Sequence, residues 1–338
     1  MSLATLSSDK INQMTTVKFL QDKSKLESVS RNIFSTYYPK NQDILVKIHF
    51  GEPGNKTAFF PKDIEPIINA LKSLGLRPTF IDTPVAYDSP RNTVAGYEQV
   101  VRDRGYDKLA PFIISDNFIE IKTKDFTAKV CKELTEAQNL LVISHVKGHE
   151  CAGFGGAIKN FGMGGMLPES KKNIHGLCQP LFTESSCTGC GTCARLCPAH
   201  AIEIINGKAR VDLEKCYGCS ICQINCPTHS LNPKLAIFDD LLAQGAAACI
   251  NNLPKNSYYL NFIQNITKSC DCESNSCEIL APDRGVLFSD NPIAIDQASI
   301  DIIGKEIFEN SNHKDPTLQI KYAQGYTKFT ADYQLENL

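Results

Sequence analysis

Cys187-Thr-Gly-Cys190-Gly-Thr-Cys193-Ala-Arg-Leu-Cys197-Pro198 is followed 29 residues on by Cys216-Tyr-Gly-Cys219-Ser-Ile-Cys222-Gln-Ile-Asn-Cys226-Pro227, each cysteine displaced by the same interval. Gly189 maps onto Gly218, and the tails Pro198-Ala-His200 and Pro227-Thr-His229 also correspond. A repeat this regular predicts two structurally equivalent halves. Three thiolates separated by two residues each can curl around one metal centre in a tight loop. A glycine between the first two lets the backbone approach the sulfurs at positive φ. Proline after the fourth cysteine turns the chain away.

In the C-x2-C-x2-C-x3-C-P pattern the fourth cysteine ligates the cluster of the other half. One 4Fe–4S cluster is therefore assigned to Cys187, Cys190, Cys193 and Cys226, and the second to Cys216, Cys219, Cys222 and Cys197. The segment resembles bacterial two-cluster ferredoxins over residues 181–232, which implies an inserted α+β module that carries electrons singly. The competing reading is a pair of zinc sites, but zinc usually takes its cysteines as two separated pairs. Four acids (Glu184, Glu203, Asp212, Glu214) balance four bases (Arg195, Lys208, Arg210, Lys215) here, so no strong field steers a charged redox partner.

The rest of the composition is ordinary. The 338 residues suit about two domains, and a formal charge of −2 offers no polyanion-binding surface, which argues against a nucleic-acid partner. No apolar run reaches the roughly 18 residues of a membrane span, and Met1–Lys10 lacks a secretory core, so a soluble cytoplasmic protein is expected. Fifteen cysteines, an odd count in a chain without an export signal, read as metal ligands and reduced thiols rather than a disulfide framework.

Strand and helix signals alternate on either side of the cysteines. Ile44–Phe50 is a β-branched strand run; Ile64, Ile67, Ile68, Leu71 and Leu74 recur at helical spacing; Arg77–Asp82 reads as a strand and Asn92–Arg104 as a helix. Phe112–Ser115 and Leu140–Val146 are further strands. The same grammar resumes with helix Leu235–Ile250, strand Tyr258–Ile263, and a segment Gly285–Ser289 that precedes one amphipathic helix from Ile293 to Asn310. The expected fold class is α/β: a layered, mostly parallel sheet, residues 40–180 plus 233–330, interrupted by the ferredoxin module. Residues 1–39 are weakly patterned and read as an arm or peripheral helix.

The strand at Leu140–Val146 runs into a glycine-rich segment, with seven glycines between Gly148 and Gly165. Loops of this kind let backbone N–H groups approach an anion, and ligands of open α/β sheets bind beyond the carboxyl ends of strands. Gly153, Gly155, Gly156, Lys159 and Asn160 are the candidate cofactor-binding residues; His149 and Lys159 are the candidate catalytic ones. Lys159 suits an anionic group or, if desolvated, a nucleophilic amine, while His145 and His149 suit proton transfer. The bland alternative is a loop that only packs. Neither the P-loop nor the dinucleotide fingerprint fits.

Lys47-Ile-His-Phe-Gly-Glu-Pro53, the run His145–Gly165, Cys270-Asp-Cys272 and Ser289–Ala298 resemble the family catalogued as domain of unknown function 362, many members of which carry a ferredoxin insert. Asn291 departs from that pattern, which commonly has Asp there. The resemblance implies an iron–sulfur protein of α/β-with-insert architecture and supplies no reaction. More distantly, His149-x2-Ala-Gly-Phe-x-Gly-x2-Lys159 is similar to the segment of nickel-pincer lactate racemases that supplies a catalytic histidine and the cofactor-bearing lysine. Over a dozen residues this implies His149 near a reacting carbon and Lys159 near cofactor or substrate, with no nickel pincer predicted.

Cys270, Cys272 and Cys277 form a candidate third metal site, weighed against reduced thiols in a loop. Cys131 and Cys249 read as structural, Asp290 and Asn291 as helix N-capping residues, and Asp296 as an acid or ligand facing the glycine loop. The leading expectation is an iron–sulfur oxidoreductase that relays electrons from a redox partner protein or small-molecule donor to a small anionic substrate or cofactor on the glycine loop. The alternatives are an electron carrier whose α/β domain only docks partners, and a cluster-dependent sensor.

Overall fold

A computed structural model describes residues 14–275 and 278–338. It is a mixed α/β structure with twelve α-helices among the described residues and one large sheet of eight strands. The sheet strands, numbered in chain order, are β1 Thr15–Leu20, β2 Asp43–Lys47, β3 Arg77–Asp82, β4 Phe112–Ile114, β5 Asn139–His145, β6 Asn256–Ile263, β7 Gly285–Ser289 and β8 Tyr333–Asn337. Their spatial order is β8-β1-β7-β6-β5-β2-β3-β4. Only β7 runs antiparallel to its neighbours; the other five pairings are parallel.

Strand alternation builds both faces. In β5, Leu140 and Val142 enter one buried cluster, whereas Leu141 and Ile143 enter the opposite one. The first cluster is covered by helices Ala157–Gly162, Phe238–Ile250 and Pro292–Ile303, the second by Leu26–Tyr37, Pro61–Ser73 and Val94–Asp103. Burial on both faces explains why the central strands read as apolar runs.

Several expectations change. Residues 15–20 are neither arm nor peripheral helix: β1 sits inside the sheet between β8 and β7, with Val17 and Leu20 fully buried. Thr-Thr-Val-Lys-Phe-Leu has too few apolar positions to announce a strand, and its partners lie more than 260 residues away. The final strand, β8, extends beyond residue 330. The single helix expected from Ile293 to Asn310 is two, Pro292–Ile303 and Lys305–Asn312, broken at Gly304, whose φ of 106° no helix accommodates. Asn291 is the N-cap of the first, accepting from the amides of Ile293 and Ala294.

The cysteine-rich segment enters and leaves side by side, because Pro180–Phe182 pairs antiparallel with Leu231–Pro233. Between them lie a hairpin, Ile202–Ile205 with Lys208–Val211, and the short helices Thr192–Leu196 and Ile221–Ile224. No described helix is long and apolar enough to cross a membrane.

Candidate functional site

The repeated cysteines line two small cavities, each with about 320 Å³ free of protein atoms. Cys187, Cys190, Cys193 and Cys226 share one; Cys197, Cys216, Cys219 and Cys222 share the other. The backbone repeats as the sequence does. Gly189 and Gly218 have φ of 72° and 68°, Gly191 and Ser220 have 76° and 65°, and His200 and His229 have 47° and 51°. The amides of Ala201 and Ser230 each point at the sulfur of the fourth cysteine of their half, Cys197 and Cys226, at 3.3 Å. Such N–H···S bonds favour a charged sulfur.

Glycine is required where the cage meets other backbone. A Cβ on Gly218 would lie 2.2 Å from the carbonyl oxygen of His175, whereas one on Gly191 meets nothing within 4 Å. Gly218→Ala should therefore lower the melting temperature and distort the second cavity. Gly191→Ala should cost only the roughly 1–2 kcal/mol of a left-handed non-glycine residue, which Ser220 already bears at the equivalent position. Thermal melts of the two variants check this.

The second feature is a larger pocket at the carboxyl ends of β2, β3 and β5. It has about 960 Å³ free of protein atoms, a volume that takes in open solvent at its mouth. Lys47, at the end of β2, is fully buried, with Nζ 2.8 Å from Asp82 Oδ1 and 2.8 Å from Asn160 Oδ1. Asp82, at the end of β3, also accepts from the Tyr97 hydroxyl at 2.5 Å. Asn160 donates to Ile143 O and Ser144 Oγ, both at 3.1 Å, so its polar atoms bind the helix Ala157–Gly162 to the sheet.

That helix carries Lys159 into the pocket. Its first amides, Ala157 and Ile158, donate to the Asp296 carboxylate at 2.7 and 2.8 Å. Asp296 thus faces the glycine loop, as expected, but as a helix cap; burial pushes its carboxyl up to about 6. Gly156 is needed for this approach, since a Cβ there would lie 2.3 Å from Asp296 Oδ1. Because those N–H groups already have an acceptor, side chains rather than the glycine backbone supply the pocket's positive charge. Gly155, Gly156, Lys159 and Asn160 line the pocket; Gly153 does not, being packed on Pro316.

Burial pushes the Lys159 ammonium down to about 8, and that of Lys171 down to about 7. Lys171 Nζ donates to Thr83 Oγ1 at 2.9 Å and Pro84 O at 2.6 Å. His149 is held well below the usual histidine range by burial and then by Lys159. Its Nδ1 accepts from the amides of Cys151 and Ala152 at 3.2 and 3.1 Å. The neutral ring therefore carries its proton on Nε2 and presents a donor. His145 is placed differently: Nδ1 meets Asp271 Oδ2 at 2.7 Å, Nε2 meets Gln264 O at 2.8 Å, and the ring stacks on Phe59. With both nitrogens engaged, His145 clamps a loop. Burial pushes the Asp271 carboxyl up, but His145 and Lys147 outweigh it and hold it well below the ordinary range.

The candidate third metal site takes another form. Cys270 and Cys272 are joined by a disulfide, which removes both thiolates, and Cys277 lies outside the described residues. Cys131 and Cys249 are buried, as read from their surroundings.

The pocket and the second cage are neighbours. His175 lines the pocket, and its Nδ1 is 2.7 Å from the carbonyl oxygen of Tyr217, the residue after Cys216. A continuous cleft is lined by His149, His175, Cys216, Tyr217, Cys270 and Cys272. Sequence reasoning missed His49, Asp82, Lys171, His175 and Asp271 as pocket residues, and Lys47 as the buried cation that braces Asp82 and Asn160. The usable signal was a charged residue within or just after an apolar strand run, as at Lys47, His49 and Asp82.

An α/β sheet with a charged pocket at its strand ends and a doubled cysteine cage beside it defines the class. The family model described as Domain of unknown function (DUF362) matches residues 44–301, and the chain belongs to that family. No curated protein matches it. Among solved structures it is similar to a Thermotoga maritima protein determined as a structural-genomics target (10% identity, TM-score 0.47, covering 89% of this chain and 59% of that one). It is also similar to the lactate racemase apoprotein from Thermoanaerobacterium thermosaccharolyticum (14% identity, TM-score 0.36, 77% and 52%). The chain thus spans little more than half the length of either structure.

Proposed function

We propose that the protein is an iron–sulfur oxidoreductase holding two 4Fe–4S clusters and relaying electrons to a small anionic ligand in the lysine-lined pocket. One observation carries the reading: each cavity collects three cysteines from one half of the repeat and the fourth from the other, and the second cavity adjoins the pocket through His175. The residues fit the group. Four sulfurs face one space in each half, glycines admit the backbone at positive φ, and an amide is directed at a sulfur of each set. Cys187, Cys190, Cys193 and Cys226 would hold one cluster, and Cys197, Cys216, Cys219 and Cys222 the other. When bound, such clusters supply one-electron transfer.

The chain's own part is to hold and protonate the ligand. Lys159 and Lys171 place positive charge at the pocket wall, and His149 Nε2–H donates a hydrogen bond or a proton. A lysine whose folded pKa lies near 8 is charged below that value. Affinity for an anion should therefore fall as pH rises from about 6 to 9. Lys159→Ala should weaken anion binding about tenfold or more, the scale of one hydrogen bond to a charged group, and flatten the pH profile above 7. Calorimetric titration with small carboxylates and phosphates, alongside iron analysis, tests this. Unchanged affinity with both clusters retained would leave the pocket without its assigned role.

A further inference from the structure

The loop after β6 brings a second sulfur pair to the pocket. Cys270 and Cys272 are disulfide-bonded and line both the pocket and the cleft that reaches Cys216. We propose that Cys270–Cys272 is a redox-active dithiol–disulfide that collects the electrons of the two clusters as a pair; this rests on the cluster reading above.

The residue between the two cysteines is anchored. Asp271 binds His145 at 2.7 Å and faces Lys147 at 3.5 Å, and its carbonyl accepts from the Glu52 amide at 2.8 Å. The Tyr87 hydroxyl donates to Cys272 O at 3.1 Å. This clamp holds the sulfurs at the pocket wall, where both lie with a His149 ring nitrogen inside a 4.8 Å group. Lys159 Nζ is 3.6 Å from Cys270 Sγ, so opening the bond would leave a thiolate beside an ammonium, the setting that stabilises thiolates.

His149 separates this reading from a metal site of the same three residues. A histidine that ligates through one nitrogen normally donates a proton from the other. Here Nδ1 is already an acceptor for two backbone amides. Binding a cation through Nε2 would require a proton at Nδ1, directed against those two donors. As it stands, Nε2–H is a donor suited to a sulfur that gains charge.

The step balances. The Sγ–Sγ bond breaks on taking two electrons, one from each reduced cluster, and both clusters return to their oxidised state. One proton, drawn from water in the open cleft through His149, completes the Cys272 thiol, while Cys270 stays a thiolate beside the Lys159 ammonium. A soluble one-electron donor recharges the clusters, and dithionite serves in the test.

The test uses anaerobically purified full-length protein with iron measured on every sample. Protein is acid-quenched before and after dithionite, alkylated, and mapped by mass spectrometry. Cys270 and Cys272 should be blocked before reduction and both labelled after it. A coulometric titration should consume about four electrons, against about two in Cys272→Ser with its iron unchanged. Cysteines labelled without reductant, a pair still closed after the clusters bleach, or an additional metal ion lost in Cys272→Ser would overturn the proposal. Failure of the cluster reading looks different: iron would be missing, while dithiothreitol would still open the pair.

Discussion

Lys314→Met is expected to destabilise the fold by about 3–5 kcal/mol, the usual cost of removing one partner from a buried ion pair. Lys314 and Asp239 are fully buried and meet at 2.5 Å. The same ammonium donates to the carbonyl oxygens of Cys151 and Cys219, the latter at 3.0 Å. It therefore joins the glycine loop, the second cage and the first turn of Phe238–Ile250. Burial already pushes the Asp239 carboxyl above its ordinary range, opposed chiefly by Lys314. Without that cation its folded pKa rises further above the unfolded value. The folded state then binds more protons than the unfolded one, so the variant should lose stability as pH rises. Adding Asp239→Leu should recover most of the loss, because a paired deletion leaves no orphan charge. Denaturant melts at two pH values check both statements.

The second large effect concerns connectivity. Cys197 belongs to the first half of the repeat, yet it lines the cavity of Cys216, Cys219 and Cys222. On the two-cluster proposal, Cys197→Ala should halve the iron, from about eight to about four atoms per chain. The double variant Cys197→Ala/Cys222→Ala should lose no more, since both residues serve one site and their effects cannot add. If each half held its own cluster, the double variant would be nearly devoid of iron. Anaerobic iron analysis of the three proteins decides between these arrangements.

What could be read from the chain follows from how local each signal is. β3 matches its expected range residue for residue because a short apolar run between turn signals needs no distant partner to be recognised. The cysteine repeat itself was legible because it lies within 40 residues. The pocket was only half legible. Lys159 and His149 stand on one glycine-rich stretch, whereas His49, Asp82 and Lys171 converge from separate elements that no sequence window spans. Asp296 was read as facing the glycine loop, but its capping role depends on a helix 139 residues earlier. β1 was missed for the same reason, since its strand character comes from the neighbours that bury Val17 and Leu20.

The most direct measurement is iron and acid-labile sulfide on protein purified without oxygen, read with its visible spectrum. The account predicts about eight of each per chain and a broad brown absorbance that dithionite bleaches. Two bound zinc ions, or iron and sulfide far below eight in a folded protein, would contradict it.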